Sequence, residues 1–168
     1  MMHPNEFKNI KVAKKNNHTR IMIFGTFDMV HEGHKHLFKQ ARALVENPFL
    51  IVSIARDSNV ERIKGRRPRH TQSERQKLVA KAVGVDKVVL GAVGDPIPHI
   101  GKEKPDIIAL GYDQTAYVRG LRSSLKQAGL KTKVIRLKPH KPHLYKTSLI
   151  LPSVSKSITS PTKIKPLK

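Results

Sequence analysis

The chain has 168 residues, 38% of them hydrophobic, enough for one domain with a core of its own. It has no cysteine, which excludes disulfides and thiolate metal sites; no apolar run approaches a membrane span, and the polar, Lys-rich start lacks a secretory leader, so a reducing cytoplasm is the expected compartment. A net charge of +21 suits anionic partners such as nucleotide, nucleic acid or acidic membrane, yet with 5% aromatics and no Trp a stacking platform for single strands is disfavoured.

Residues 1–18 are expected to form a flexible basic arm. Ile21–Phe24 predicts a strand, and Gly33–Glu46 a helix with Leu37, Ala41, Leu44 and Val45 at helical spacing. The run FLIVSIA over Phe49–Ala55 predicts a buried strand. A basic loop follows over 56–71, with a short helix at Asn59–Ile63. Thr71-Gln-Ser-Glu74 reads as a capping box opening a helix over Gln72–Ala82. Then come a strand at Lys87–Leu90, a short helix at Pro98–Lys104 and a strand at Asp106–Leu110. A helix over Ala116–Ala128 is closed by Gly129, and Lys133–Leu137 is the last strand. Residues 152–168, rich in Ser, Thr, Pro and Lys, are expected to be a disordered basic tail, leaving 19–151 as the single folded domain. Strands alternating with helices imply an α/β fold: a Rossmann-like, doubly wound parallel sheet covered on both faces. Ligands of such sheets bind outside the carboxyl ends of the strands, so the segments after Gly25, Gly111 and Leu137 should converge on one cleft.

The densest signal is IMIFGTFDMVHEGHKHLFKQARAL, Ile21 to Leu44. Gly25 allows a tight turn after the strand, and Gly33 keeps the helix start open to a close ligand. The first N–H groups of that helix lack intrahelical partners, and the dipole there favours anions. His31 and His34 can face one bound phosphate together. The string G-T-F-D-x-x-H-x-G-H resembles the signature of the nucleotidyltransferase superfamily with the His-x-Gly-His motif. That superfamily includes cytidylyltransferases, several adenylyltransferases and archaeal-type FAD synthases. The resemblance runs from about Arg20 to about Ile150. It implies that an acceptor phosphate attacks the α-phosphorus of a nucleoside triphosphate in line, without a covalent enzyme intermediate, with Mg2+ on the phosphates. His31 and His34 would stabilise charge on the phosphates, Gly25, Thr26 and Phe27 would shape the turn against the nucleotide, and Asp28 would orient the motif or assist metal and acceptor. A zinc site on Asp28, His31 and His34 lacks a further ligand at typical spacing. P-loop and nucleophile-elbow motifs are absent from the sequence.

Further positions carry the same resemblance. Lys64, in K-G-R-R-P, matches a phosphate-gripping lysine, whereas Arg66, Arg67 and Arg69 read equally well as solvated loop charges. Arg75, in S-E-R-Q-K-L, matches an arginine at the start of a helix facing the cleft. Gly111-Tyr-Asp113-Gln114 resembles the G-x-D-Q of archaeal-type FAD synthases, where cytidylyltransferases more often read G-x-D-W; Asp113 and Gln114 would meet the nucleotide, or Asp113 would simply cap a helix. Thr147 and Ser148 stand where cytidylyltransferases carry R-T-E-G-I-S-T-T and would grip the β- and γ-phosphates. No residue is assigned as a metal ligand. These features favour adenylyl transfer from ATP to FMN, giving FAD and pyrophosphate. Beside it stand a cytidylyltransferase acting on glycerol 3-phosphate or a similar polyol phosphate, and a basic nucleic-acid-binding protein that keeps the fold without its chemistry. The expected partners are ATP ahead of CTP, FMN as acceptor and polyanions on the basic tails; a homodimer is left open.

Overall fold

A computed structural model describes residues 18–115 and 118–139. Ten elements follow in chain order: β1 (Thr19–Gly25), α1 (Glu32–Arg42), β2 (Pro48–Ile54), α2 (Asp57–Lys64), α3 (Gln72–Ala80), β3 (Lys87–Leu90), α4 (Ile97–Glu103), β4 (Ile107–Leu110), α5 (Leu121–Gln127) and β5 (Lys133–Arg136). The strands form one parallel sheet in the order β3-β2-β1-β4-β5. This is the doubly wound, Rossmann-like arrangement that the alternation implies.

The central strands are apolar on both faces because both faces are covered. Side chains alternate across the pleat, so Ile21 and Ile23 join one core with Phe38 and Ala41 of α1 and Val79 of α3. Met22 joins the opposite core with Ile100 of α4 and Leu121 and Leu125 of α5. Strand order reverses between β1 and β4, which opens a crevice at their carboxyl ends, Gly25 and Leu110.

Most element ends shift by a residue or two from their expected places, and three helices differ for a clear reason. The first helix ends at Arg42, with Ala43 as its cap; Leu44 still packs in the core, but from a turn, because the chain must become extended before Pro48. The short helix after β2 is two turns long, beginning at Asp57 and ending at Gly65, whose φ of +67° and N–H bond to the Glu61 carbonyl make the C-terminal cap. The last helix starts at Leu121 instead of Ala116, since Gly120 sits at φ +79° and breaks any continuous helix. Ala116 and Tyr117 lie outside the described residues, as do Thr147, Ser148 and both basic terminal segments apart from His18.

Candidate active site

The turn after β1 is built around Phe27. Its backbone is left-handed, at φ +51°, and its ring is 2% exposed. The ring folds back over Gly25 so closely that a Cβ there would lie 2.5 Å from Phe27 Cε2. It also lies 4.9 Å from the His34 ring and 5.7 Å from that of Phe38 in α1. Gly25 is thus required by a close approach, and Phe27 works as the support beneath His34.

His31 precedes α1 in an extended conformation, and Gly33 and His34 lie in its first turn. The two imidazoles stack with centroids 3.8 Å apart, and the His31 backbone N–H donates to His34 Nδ1 at 3.4 Å. Burial pushes the His34 imidazole down to about 3; the neighbouring His31 and Lys64 add to the lowering, against a hydrogen bond with the Met29 backbone. Burial also lowers His31, against the opposing charge of Glu32. At neutral pH His34 is therefore uncharged. With Nδ1 accepting from His31, the neutral ring keeps a single N–H.

Across the cleft, Lys64 at the end of α2 donates from Nζ to Thr26 Oγ1 at 3.1 Å. The side chain as a whole is exposed, but its ammonium end is partly desolvated, which with the Arg66 charge lowers its pKa against the pull of Asp28 and Asp113. Asp28 points away from this wall. Its carboxylate oxygens accept from the backbone N–H groups of Arg69 and His70, both at 2.9 Å, and His70 Nδ1 donates to the Asp28 carbonyl at 2.7 Å. Burial works to raise the Asp28 carboxyl, but these donors together hold it below its ordinary value. Of the roles open to Asp28, holding the motif against residues 69–70 is the one its bonds support.

Arg75 departs from its expected place on the cleft. It is 0% exposed, and its guanidinium donates to the carbonyls of Thr26 (2.5 Å), Ala55 (2.7 Å) and His70 (3.1 Å) and to Asp57 Oδ1 (2.6 Å). Each nitrogen bonds to protein and the side chain is fully buried outside the cleft lining, so Arg75 braces the motif turn from behind. Asp57 completes the brace: it exchanges bonds with Gln72, tying the starts of α2 and α3 together. The Thr71–Glu74 capping box forms as expected and starts α3 there.

The turn after β4 is held similarly. Gln114 Oε1 accepts from the Gly111 N–H at 2.8 Å, and Nε2 donates to the Phe24 carbonyl at 2.7 Å. Arg136 Nη1 gathers the carbonyls of Gly111, Tyr112 and Gln114 at 2.9, 3.2 and 3.0 Å. Gln114 thus ties β4 to β1 with its side-chain amide, while Asp113 stays exposed at the rim. The spacing of charged residues could not reveal Asp57 or Arg136, because their partners are backbone carbonyls and residues distant in sequence.

Between these walls lies a cleft of about 420 Å³, of the size that takes small ligands. His34, Lys64, Gly25, Thr26 and Phe27 line one part, and Gly111, Asp113 and Gln114 another. Asp28, His31, Gly33 and Arg75 sit outside its lining. Among the described residues no group of three His, Cys, Asp or Glu could hold a metal ion, and no helix is long and apolar enough to cross a membrane.

The profile of the cytidylyltransferase-like family matches residues 22–165. The chain belongs to that family. The chain is 44% identical over 119 residues to an FAD synthase of Korarchaeum cryptofilum, covering 70% of this chain and 80% of that protein. It is 41% identical over 132 residues to the FAD synthase of Pyrococcus abyssi, covering 78% and 85%. Among solved structures it resembles a lipopolysaccharide core biosynthesis protein of Thermoplasma volcanium, with a TM-score of 0.67 and 35% identity over 73% of this chain and 98% of that one. The protein is a nucleotidyltransferase, which displaces the reading of a non-catalytic nucleic-acid-binding protein.

Proposed function

We propose that this enzyme transfers the adenylyl group of ATP to FMN, forming FAD and pyrophosphate. The observation that carries this reading is 40–45% identity to several FAD synthases over 119 to 132 residues. The G-Y-D-Q turn, placed at the cleft, agrees with it.

An oxygen of the FMN phosphate forms a bond to the α-phosphorus while the bond to the bridging oxygen of the β-phosphate breaks, and pyrophosphate leaves with that electron pair. The chain's task is positioning and charge stabilisation. His34 Nε2–H donates to a non-bridging α-phosphate oxygen, with His31 stacked behind it. Lys64 swings from Thr26 to the phosphates. The open N-terminal turn of α1, with Gly33 in it, supplies backbone donors. Asp113 meets the nucleoside, Gln114 and Arg75 act as positioning residues, and Thr147 and Ser148 serve the β- and γ-phosphates. With no three-ligand cluster among the described residues, a divalent cation fits as a passenger on the triphosphate, and we assign it as Mg2+. Bound there, it neutralises phosphate charge. The enzyme is assigned to the cytoplasm, and its +21 charge to retention of anionic ligands and polyanions.

Incubation with ATP, FMN and Mg2+, followed by chromatography, tests the reading. FAD and pyrophosphate are expected in equal amounts. CDP-glycerol from CTP and glycerol 3-phosphate, without FAD from FMN, would replace it with the polyol-phosphate reading.

A further inference from the structure

The cleft continues past the phosphate wall into a second wing, between the carboxyl ends of β2 and β3 and helix α4. No step of phosphate chemistry uses it. Ser53, near the end of β2, is 1% exposed and lies beside Phe24 of β1 and Val89 of β3 in the sheet register. Its Oγ is 3.1 Å from Nε2 of His99 on α4. Phe24 and Ile100 add apolar surface, so the wing is an apolar slot with one polar pair deep inside it.

Its wall is built firmly. Arg56 Nε donates to the Gly91 carbonyl at 2.8 Å, Asn59 Nδ2 to the Ala92 carbonyl at 2.7 Å, and the Gly91 N–H to the Ile54 carbonyl at 2.8 Å. A Cβ on Gly91 would sit 3.2 Å from the Ile54 carbonyl oxygen and 3.4 Å from Ser53 Oγ. Glycine there keeps the wall low and flat beside the polar pair, as a planar ligand requires.

Position decides which ligand. The wing and the Asp113 turn lie on opposite sides of β1 in the sheet order. In-line transfer needs acceptor and leaving pyrophosphate on opposite sides of the α-phosphorus, and a nucleoside held by the Asp113 turn leaves the wing free for the acceptor. A flavin ring has an apolar dimethylbenzene end and a hydrogen-bonding pyrimidine edge, which matches an apolar slot ending in Ser53 and His99. We propose that this wing receives the isoalloxazine ring of the acceptor and that the Ser53–His99 pair reads its pyrimidine edge, making both residues specificity-determining. This rests on FMN being the acceptor.

The test is flavin-fluorescence quenching on the full chain, with steady-state kinetics alongside. Ser53→Ala and His99→Leu should weaken FMN binding about five- to tenfold, the scale of one neutral hydrogen bond, and leave the KM for ATP within twofold. His99→Gln, which keeps a donor, should recover part of the loss. Riboflavin, the ring without its phosphate, should compete with FMN on the unaltered protein, so the proposal stays testable even if a variant fails to fold. Unchanged FMN affinity in folded variants, a shift in ATP instead, or no competition by riboflavin overturns the ring assignment while FAD formation persists. Absence of both FMN binding and FAD formation in the unaltered protein brings down the adenylyl-transfer reading and the ring assignment together.

Discussion

Lys64 and Thr26 are 38 positions apart in sequence, yet the ammonium of one donates to the hydroxyl of the other at 3.1 Å. The contact carries a cation from the end of α2 to the turn after β1, into the cleft that half-buried His34 also lines. The same part of the cleft thus holds an exposed ammonium and a half-buried, uncharged imidazole. Under the proposed reading both groups are available to a triphosphate before it binds.

Replacing Lys64 by Ala is expected to lower kcat/KM for ATP about 10- to 100-fold, the range for a charge-assisted hydrogen bond to phosphate. Lys64→Arg should keep part of the activity, since charge survives while geometry changes. Thermal midpoints should stay within a few degrees, because the side chain is exposed. Steady-state kinetics with full ATP response in Lys64→Ala would remove the lysine from phosphate binding.

His34→Ala should lower kcat about 100-fold or more with a much smaller change in KM, as expected for a donor that acts on charge developing in the transition state. Because the residue works uncharged, His34→Gln should retain more activity than His34→Ala. A loss below threefold in pure His34→Ala would exclude it from catalysis.

The same imidazole makes the fold sensitive to acid. It titrates at about 3 in the folded chain and near 6.5 unfolded. Between those values the unfolded chain binds the extra proton, so its contribution is intact above about pH 6.5 and is lost as pH falls toward 3. The slope for one such group is about 1.4 kcal/mol per pH unit. His31 and His99, also lowered by burial, act in the same direction. Urea midpoints measured from pH 7 to 4.5 should fall, and His34→Gln should fall less steeply. Parallel curves would contradict a neutral, buried His34.

Arg75→Met should destabilise the protein by about 3–5 kcal/mol, because it leaves Asp57 and three carbonyls without their buried donor. Chemical denaturation measures this directly. A stable variant with only a raised KM for ATP would instead place Arg75 on the ligand.

The sheet, its order of elements and the anion-ready turn were legible in the chain because each rests on local pattern: apolar runs, a capping box, glycines at strand ends. What stayed hidden depends on contacts distant in sequence. Nothing in S-E-R-Q-K-L distinguishes an arginine reaching a ligand from one reaching the Thr26 carbonyl 49 positions away. Gln114 posed the same difficulty, since its amide is used by Gly111 and Phe24. Ser53 and His99 carry no motif, and only the fold brings β2 and α4 together. Gly120, the breaker that shortens α5, is visible in sequence, but the helical spacing around it conceals its effect.

The amide of Gln114 also has an evolutionary consequence. Cytidylyltransferases more often carry Trp at this place, and an indole has one donor and no amide oxygen, so it could not accept from Gly111 while donating to Phe24. A change from Gln to Trp here would therefore remove the side-chain tie between the carboxyl ends of β4 and β1 and leave only their backbone pairing. The intermediate would carry a loosened turn until Arg136 or a neighbour compensated. Redesign at Gln114 would have to supply both an acceptor for Gly111 and a donor for Phe24 from other positions.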